Sequence, residues 1–330
     1  MTTTAQIFHL KQTPQGLPTA ADFELRDIQL PEPGDNQVLV ENLYMSVDPY
    51  MRGRMRFMPP GSKLFGAAVG RVLASNSSTV SIGDFVLNPH SWHSHFVDDA
   101  SVVTQLDPEL APLPSYLGVM GMPGLTAWGG LLITGAYQDG ETLFVSAASG
   151  AVGSLVGQIA KIKGARVIGI AGGPEKCRWL VEEAGFDAAI DYKNESVAAG
   201  IQRLCPNRIN IFFDNVGGDI LETALDHLAL NARVILCGGI AGYNAVTPVP
   251  GPKNIMNLVI MRSRMEGFIV LDYLPRAGEA IKDLLGWIGT GDLKYQVDMQ
   301  EGFENIPSTL QRLFTGKNLG KQLLKVADPE

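Results

Sequence analysis

The sequence predicts an α/β chain of two domains, one mainly β and one a doubly wound parallel sheet. Three observations carry this. The length of 330 residues exceeds one ordinary domain. The first part, about 120 residues, holds short apolar runs broken by Gly and Pro, the pattern of a compact β domain. From about Gly140 onward, strand-like and helix-like runs alternate, which is the pattern of a parallel sheet with helices on its faces.

In the first part, strands are expected at Gln37–Leu43, Ala67–Ala74, Phe85–Asn88, His95–Asp98 and Val102–Gln105. Turn signals such as PEPGDN and SIGDF separate them. Helical character begins in Leu113–Leu132, around a glycine-rich joint. Leu143–Ala147 is a short apolar run suited to a buried parallel strand. A helix follows with Val152, Val156, Ile159 and Ala160 on one face, and Gly164 ends it. Arg166–Ala171 is the second strand of this part. Helices are then expected at Cys177–Ala184, Glu195–Leu204 and Asp219–Leu230, with strands at Asp187–Asp191, Ile209–Asp214, Arg233–Cys237 and Met265–Leu271. The tail from about Gly291 returns to strand, turn, helix and strand.

Between the strand at Leu143 and its helix stand Ser149, Gly150 and Gly153. Glycines there let the backbone approach phosphate oxygens, and the helix N-terminus favours an anion. The full dinucleotide fingerprint is GxGxxG; here Ala148 takes the place of its first glycine. The glycines alone also fit a tight turn with no ligand, as the lesser alternative. The strand before, the helix after and the second strand give the context that a dinucleotide site needs. An NAD site usually ends its second strand with an acid for the ribose 2′-hydroxyl. Here the corner reads Gly172, Gly173, Pro174, Glu175, Lys176. A cation beside a corner without an acid suits a 2′-phosphate, so NADP(H) is preferred over NAD(H). The plain alternative for Lys176 is a solvated first-turn lysine.

Ligands bind such sheets beyond the carboxyl ends of the strands. The segments to examine are therefore 149–153, 172–176, Tyr192, 215–218, 238–243 and 270–272. The net charge of −8, with no basic run, argues against a nucleic-acid partner. No apolar stretch reaches the roughly 18 residues of a membrane span. The N-terminus lacks a signal peptide's apolar core, so a cytoplasmic protein is expected. Cys177, Cys205 and Cys237 are too few, and odd in number, for a disulfide framework, and no CxxC is present for structural zinc. His90, His93 and His95 cluster, but no Cys or Glu stands nearby to complete a metal site, and no metal is expected.

Four stretches, VDPYMRGRM (47–55), AASGAVGSLVGQIAKIKGARVIGIAGGPEK (147–176), FDNVGG (213–218) and EGFENIPSTLQRLFTGKNLGK (301–321), run in one order along almost the whole chain. In them the chain resembles the zinc-independent medium-chain dehydrogenases/reductases. The branch is that of the prostaglandin reductases, leukotriene B4 dehydrogenase, and the curcumin and alkenal double-bond reductases. The resemblance implies a GroES-like, mainly-β catalytic domain from residues 1–120 and 291–330, and a Rossmann NADPH-binding domain from 121–290. It implies pyrophosphate contacts from Gly150, Ala151, Val152 and Gly153, a 2′-phosphate contact from Lys176, and Tyr192 beside the adenosine end. Asn215, Cys237, Gly238, Gly239, Ile240, Tyr243, Phe268, Ile269, Val270 and Asn318 would line the path to the nicotinamide.

The activity implied is NADPH-dependent reduction of the C=C bond of an α,β-unsaturated ketone or aldehyde, a small-molecule substrate. Hydride goes to the β-carbon, and a donor stabilises the enolate oxygen. Tyr50 is the first candidate donor and Tyr243 the second, with the cofactor's ribose hydroxyl a third. A tyrosine bonded to backbone and a cofactor-packing ring are the respective alternatives. Some relatives place a tyrosine where this chain has Ile260. The zinc enzymes of the wider superfamily use a Cys and a Gly-His-Glu stretch. The matching regions here, LYMSVDPYM and FGAAVG, carry neither. A homodimer is implied, with Met265–Leu271 as its candidate edge. The competing readings are an NADPH:quinone reductase on the same scaffold and a non-catalytic NADPH-binding protein.

Overall fold

The computed structural model describes residues 3–329. They divide into two compact units. One holds the chain up to Leu117 with Val297–Asn318 and the last residues from Gln322; the other holds Gly118–Gln296 with Leu319–Lys321.

In the first unit, β1 (Thr3–Leu10) and β2 (Phe23–Leu30) form an antiparallel pair in register from Thr3↔Leu30 to Leu10↔Phe23. The sequence reading missed both strands, because twelve residues separate them and no tight-turn dipeptide marks the connection. β3 (Gln37–Ser46) leads into the short helix α1 (Tyr50–Arg54). β4 (Ala68–Ser75), β5 (Phe85–Asn88), β6 (His95–Asp99) and β7 (Thr104–Leu106) follow. The expected strand at Val102 starts two residues later. The Asp99 carboxylate accepts the Ser101 N–H at 2.9 Å and holds Ala100–Val102 in a 3-10 turn.

The second unit opens with α2 (Met122–Gly129), which continues as a π-helical turn to Thr134, closed by Gly135 N–H donating to the Gly130 carbonyl at 2.8 Å. Then come β8 (Thr142–Val145), α3 (Gly153–Ile162), β9 (Arg166–Ala171), α4 (Pro174–Glu182) and β10 (Ala188–Asp191). α5 (Val197–Leu204), β11 (Ile209–Asp214), α6 (Gly218–Leu225), β12 (Leu228–Leu236), α7 (Asn257–Ile260), β13 (Arg264–Gly267) and α8 (Ala277–Gly289) complete it. The strands make one parallel sheet in the order β10-β9-β8-β11-β12-β13. Two halves thus run outward from the β8–β11 pair, which is the switch point where such sheets bind ligands.

Two expectations are corrected here. The helix expected at Asp219–Leu230 stops at Leu225, and Leu228–Leu230 already belong to β12. Leu228 is fully buried and pairs with Ile209, so burial beside β11 overrides helical spacing. The strand expected at Met265–Leu271 ends at Gly267. The Asp272 carboxylate accepts the Ile269 N–H at 3.2 Å and turns Val270–Arg276 into a 3-10 helix.

The tail supplies β14 (Val297–Glu301), α9 (Ile306–Thr315) and β15 (Lys321–Lys325). They extend the first unit's sheet, whose order is β14-β15-β3-β4-β5-β7, with β6 also pairing β3. Its core joins Phe8, Trp92 and Phe303 to Met51, Met55 and Leu324. In the second unit, Phe144 and Phe212 stack at 5.3 Å with no exposure, each contributing about 1.5–3 kcal/mol by burial.

Candidate functional site

β8 is apolar and wholly buried, and its end is a sharp turn. Ala147 adopts φ +47, which lets its carbonyl accept the Gly150 N–H at 2.9 Å. A Cβ on Gly153 would stand 2.5 Å from the Ala147 oxygen and 2.9 Å from Ala148 Cα. Only a bare α-carbon lets α3 start this close to the strand, and its first turn presents N–H groups without intrahelical acceptors. Gly150, Ala151, Val152 and Gly153 all lie in this turn. The missing first glycine is compensated across the sheet. Ala148 is fully buried, and its Cβ lies 2.8 Å from where a Cβ on Gly169 of β9 would stand.

Gly320 is a member of this turn that the sequence reading overlooked. It pairs with Gly150, and its N–H donates to the Ser149 carbonyl at 2.8 Å. Its φ is +76, and a Cβ there would collide with the Gln296 carbonyl oxygen. Two glycines bracketing a three-residue gap in GKNLGK were the available signal.

At the next corner, Gly173 adopts φ +103 and α4 begins at Pro174, which puts half-buried Lys176 in its first turn. A Cβ on Gly172 would stand 2.8 Å from the Tyr192 hydroxyl and 2.9 Å from Lys193 Cε, so Tyr192 closes over the corner. The corner differs from expectation in one respect: Asp191, the last residue of β10, reaches it. Its carboxylate accepts Gly173 N–H at 2.8 Å, Lys193 N–H at 3.1 Å and Asn194 Nδ2 at 2.7 Å. Burial alone would raise its pKa. The bonds from Asn194, Gly173 and Lys193 outweigh burial and hold the carboxyl below its ordinary value. Three of its acceptor sites are thus committed to holding the corner.

Asn215 follows β11, and Cys237, Gly238, Gly239 and Ile240 follow β12. The two ends are stitched together: Ile240 N–H donates to the Asn215 carbonyl at 3.3 Å, and Ala241 N–H to that of Val216 at 3.1 Å. The Tyr243 hydroxyl lies 3.4 Å from the Gly239 N–H that donates to it. Burial, with Asp214 nearby, pushes the Cys237 thiol up to about 12 and keeps it neutral. Phe268 sits edge-on to Phe213 at 6.2 Å, Ile269 is exposed, and Val270 opens the 3-10 turn beyond β13. Every candidate from Gly150 to Val270 therefore lies beyond a strand's carboxyl end.

Tyr50 and Asn318 lie in the first unit. Tyr50 opens α1, with the Arg54 guanidinium 5.1 Å from its ring centroid. Among the described residues no hydrogen bond engages its hydroxyl, which lies 3.5 Å from where a Cβ on Gly66 would stand. Burial, then Asp48, raises the phenol's pKa well above its ordinary value. Arg52 is structural: it is buried and donates to the carbonyls of Pro14 and Gly16. Met51 and Met55 are core, whereas Phe57 is exposed. Among the described residues no group of three or more His, Cys, Asp or Glu could hold a metal ion. His90 instead bonds Asp98 at 2.8 Å, and His93 Nδ1 lies 3.2 Å from the Ser91 carbonyl.

Residues 6–106 match the model described as the N-terminal domain of oxidoreductase, and residues 151–288 the one described as zinc-binding dehydrogenase. Prostaglandin reductase 1 of Bos taurus is 39% identical, over 97% of this chain and 99% of its own length. The NADPH-dependent curcumin reductase of Escherichia coli is 39% identical, over 96% of each chain. The crystal structure of CurA in complex with NADPH from Vibrio vulnificus superposes with a TM-score of 0.93 at 39% identity, covering 98% of this chain and all of that one. With its two-part architecture and its row of strand ends, the chain belongs to the medium-chain dehydrogenase/reductase family, in the branch that holds the prostaglandin and curcumin reductases.

Proposed function

We propose that the protein uses NADPH to reduce the C=C bond of α,β-unsaturated ketones and aldehydes. The observation that carries this is the turn after β8. Gly153 has no room for a Cβ, and the next corner sets Lys176 in a helix's first turn. That cradle fits a pyrophosphate, and the cation fits a 2′-phosphate. Whole-length relatives named for NADPH-dependent curcumin reduction and for prostaglandin reduction support the same reading.

When bound, NADPH supplies the hydride for the substrate's β-carbon. Gly150–Gly153 would hold the pyrophosphate, Lys176 and Tyr192 the adenosine end, and Asn215, Cys237–Ile240, Tyr243, Phe268–Val270 and Asn318 the nicotinamide half. Tyr50 would donate to the substrate's carbonyl oxygen as negative charge gathers there. Its raised pKa keeps the phenol a neutral donor across the working pH range, and its hydroxyl has no competing bond among the described residues. The first unit would thus be the catalytic domain and the second the cofactor domain.

The reading includes a cytoplasmic homodimer. β13 is the outer strand of its sheet, and Val259, Ile260, Ile269 and Leu271 around it are each more than 60% exposed. An edge of that kind calls for a cover. A monomer by light scattering contradicts the dimer.

The activity test mixes purified protein, NADPH and a medium-chain enone, and follows loss of NADPH absorbance. Consumption no faster than with the saturated ketone removes the reading. A hydroquinone as the main product from a mixed enone and quinone challenge transfers it to quinone reduction.

A further inference from the structure

We propose that Asp214 and Ser146 are a positioning pair that aims Asn215 and the 215–218 turn at the nicotinamide–ribose half of the cofactor. This rests on the NADPH reading above and adds residues to it.

Asp214 ends β11 with no exposure. Its carboxylate accepts Ser146 Oγ–H at 2.7 Å, Val216 N–H at 2.9 Å and Gly217 N–H at 3.1 and 3.0 Å. Its main-chain carbonyl accepts the N–H groups of Cys237 at 2.9 Å and Gly238 at 3.2 Å. A buried carboxylate is costly unless donors surround it. Burial raises its pKa, and the compensation comes from hydrogen bonds alone, those of Ser146, Val216 and Gly217. A charge kept here for packing would be a poor choice. As an organiser of the turn it is a strong one, because Gly217 at φ +73 and Gly218 at φ +55 bend the backbone around it.

Ser146 is the pivot. Its Oγ donates to Asp214 and accepts Asn215 N–H at 2.8 Å, while its carbonyl accepts Asn215 Nδ2 at 2.8 Å. The Asn215 amide is therefore oriented: Nδ2 is tied to Ser146, and Oδ1 is unpaired among the described residues and not buried. An oriented, reachable carbonyl oxygen accepts from a hydroxyl, the chemistry of a ribose. One network thus spans the ends of β8, β11 and β12, at the switch point of the sheet.

The pair acts on one half of the ligand only, and the test uses this. Affinities for NADP+ and for 2′,5′-ADP, which carries only the adenosine and 2′-phosphate end, are measured for wild type, Asp214→Asn and Ser146→Ala. In Asp214→Asn the amide Nδ2 opposes the Gly217 N–H, donor against donor. The expected result is a loss of NADP+ affinity of about tenfold, with 2′,5′-ADP affinity unchanged. Ser146→Ala, which spares the carboxylate, gives a smaller loss of the same kind and reads the pair should Asp214→Asn not fold. Equal losses for both ligands, or none, overturn the positioning role and leave the cofactor reading intact. A wild type that binds neither ligand removes the cofactor reading and this proposal with it.

Discussion

The two units present their chemistry in different ways. In the second, the candidate site is made of backbone: glycine turns, helix starts and strand ends, with Lys176 and Asn215 among the side chains that reach out. In the first, the candidate donor is one phenol on a five-residue helix, held by packing of Met51 and Met55 among residues from Phe8 to Leu324. A backbone site is written in local spacing and fails when space is filled. A side-chain site is written in distant contacts and fails when one atom is removed.

Filling space has the largest expected effect. Gly153→Val drives a branched side chain into the Ala147 carbonyl and should cost about 3 kcal/mol of stability, with NADP+ binding lost by titration. Wild-type affinity in this variant breaks the comparison. Next comes a difference in pH response. Burial, then His90, lowers the His93 pKa to about 4. The unfolded chain binds a proton near pH 6.5 and the folded one does not, so stability is full above 6.5 and falls as pH drops toward 4. The loss should approach about 3 kcal/mol. Denaturant melts at pH 7 and pH 4.5 should show it, and His93→Gln should flatten it; a slope that survives the substitution assigns it elsewhere.

Removing one atom is the third test. Tyr50→Phe should lower kcat about 100-fold with NADP+ affinity unchanged; an unchanged kcat dismisses Tyr50 as the donor. The smallest effect separates the two ends of the cofactor site. Lys176→Ala should raise the KM for NADPH about tenfold and leave that for NADH alone. Equal changes would assign Lys176 to general electrostatics.

The same contrast governs what the sequence revealed. RVIGIA and INIFFD read as β9 and β11 to the residue, because continuous apolar runs between turns have one solution in a parallel sheet. Leu228–Leu230 misled, since an apolar residue one turn beyond a helix continues its face as readily as it starts a strand. Val270 and Leu271 misled by continuing the apolar run from Ile269, while Asp272, the next residue, held the answer. In the candidate site, spacing pointed to Gly150, Gly153 and Lys176. It did not locate Asp191 in the corner, Gly320 on the turn, or Ser146 behind Asn215. Those three depend on partners 18, 171 and 69 residues away along the chain. An acid closing an apolar strand, as Asp214 does, was a visible oddity whose purpose needed coordinates.

The methyl of Ala148 facing bare Gly169 also changes what the nucleotide motif is. It is an allowance of volume shared between the turn after β8 and β9, and bounded by the Phe186 ring. Ala148→Gly alone opens a hole and Gly169→Ala alone forces a collision; the two together remove the Ala148 contact but leave the new methyl 3.0 Å from the Phe186 ring, so they should recover only part of what each loses.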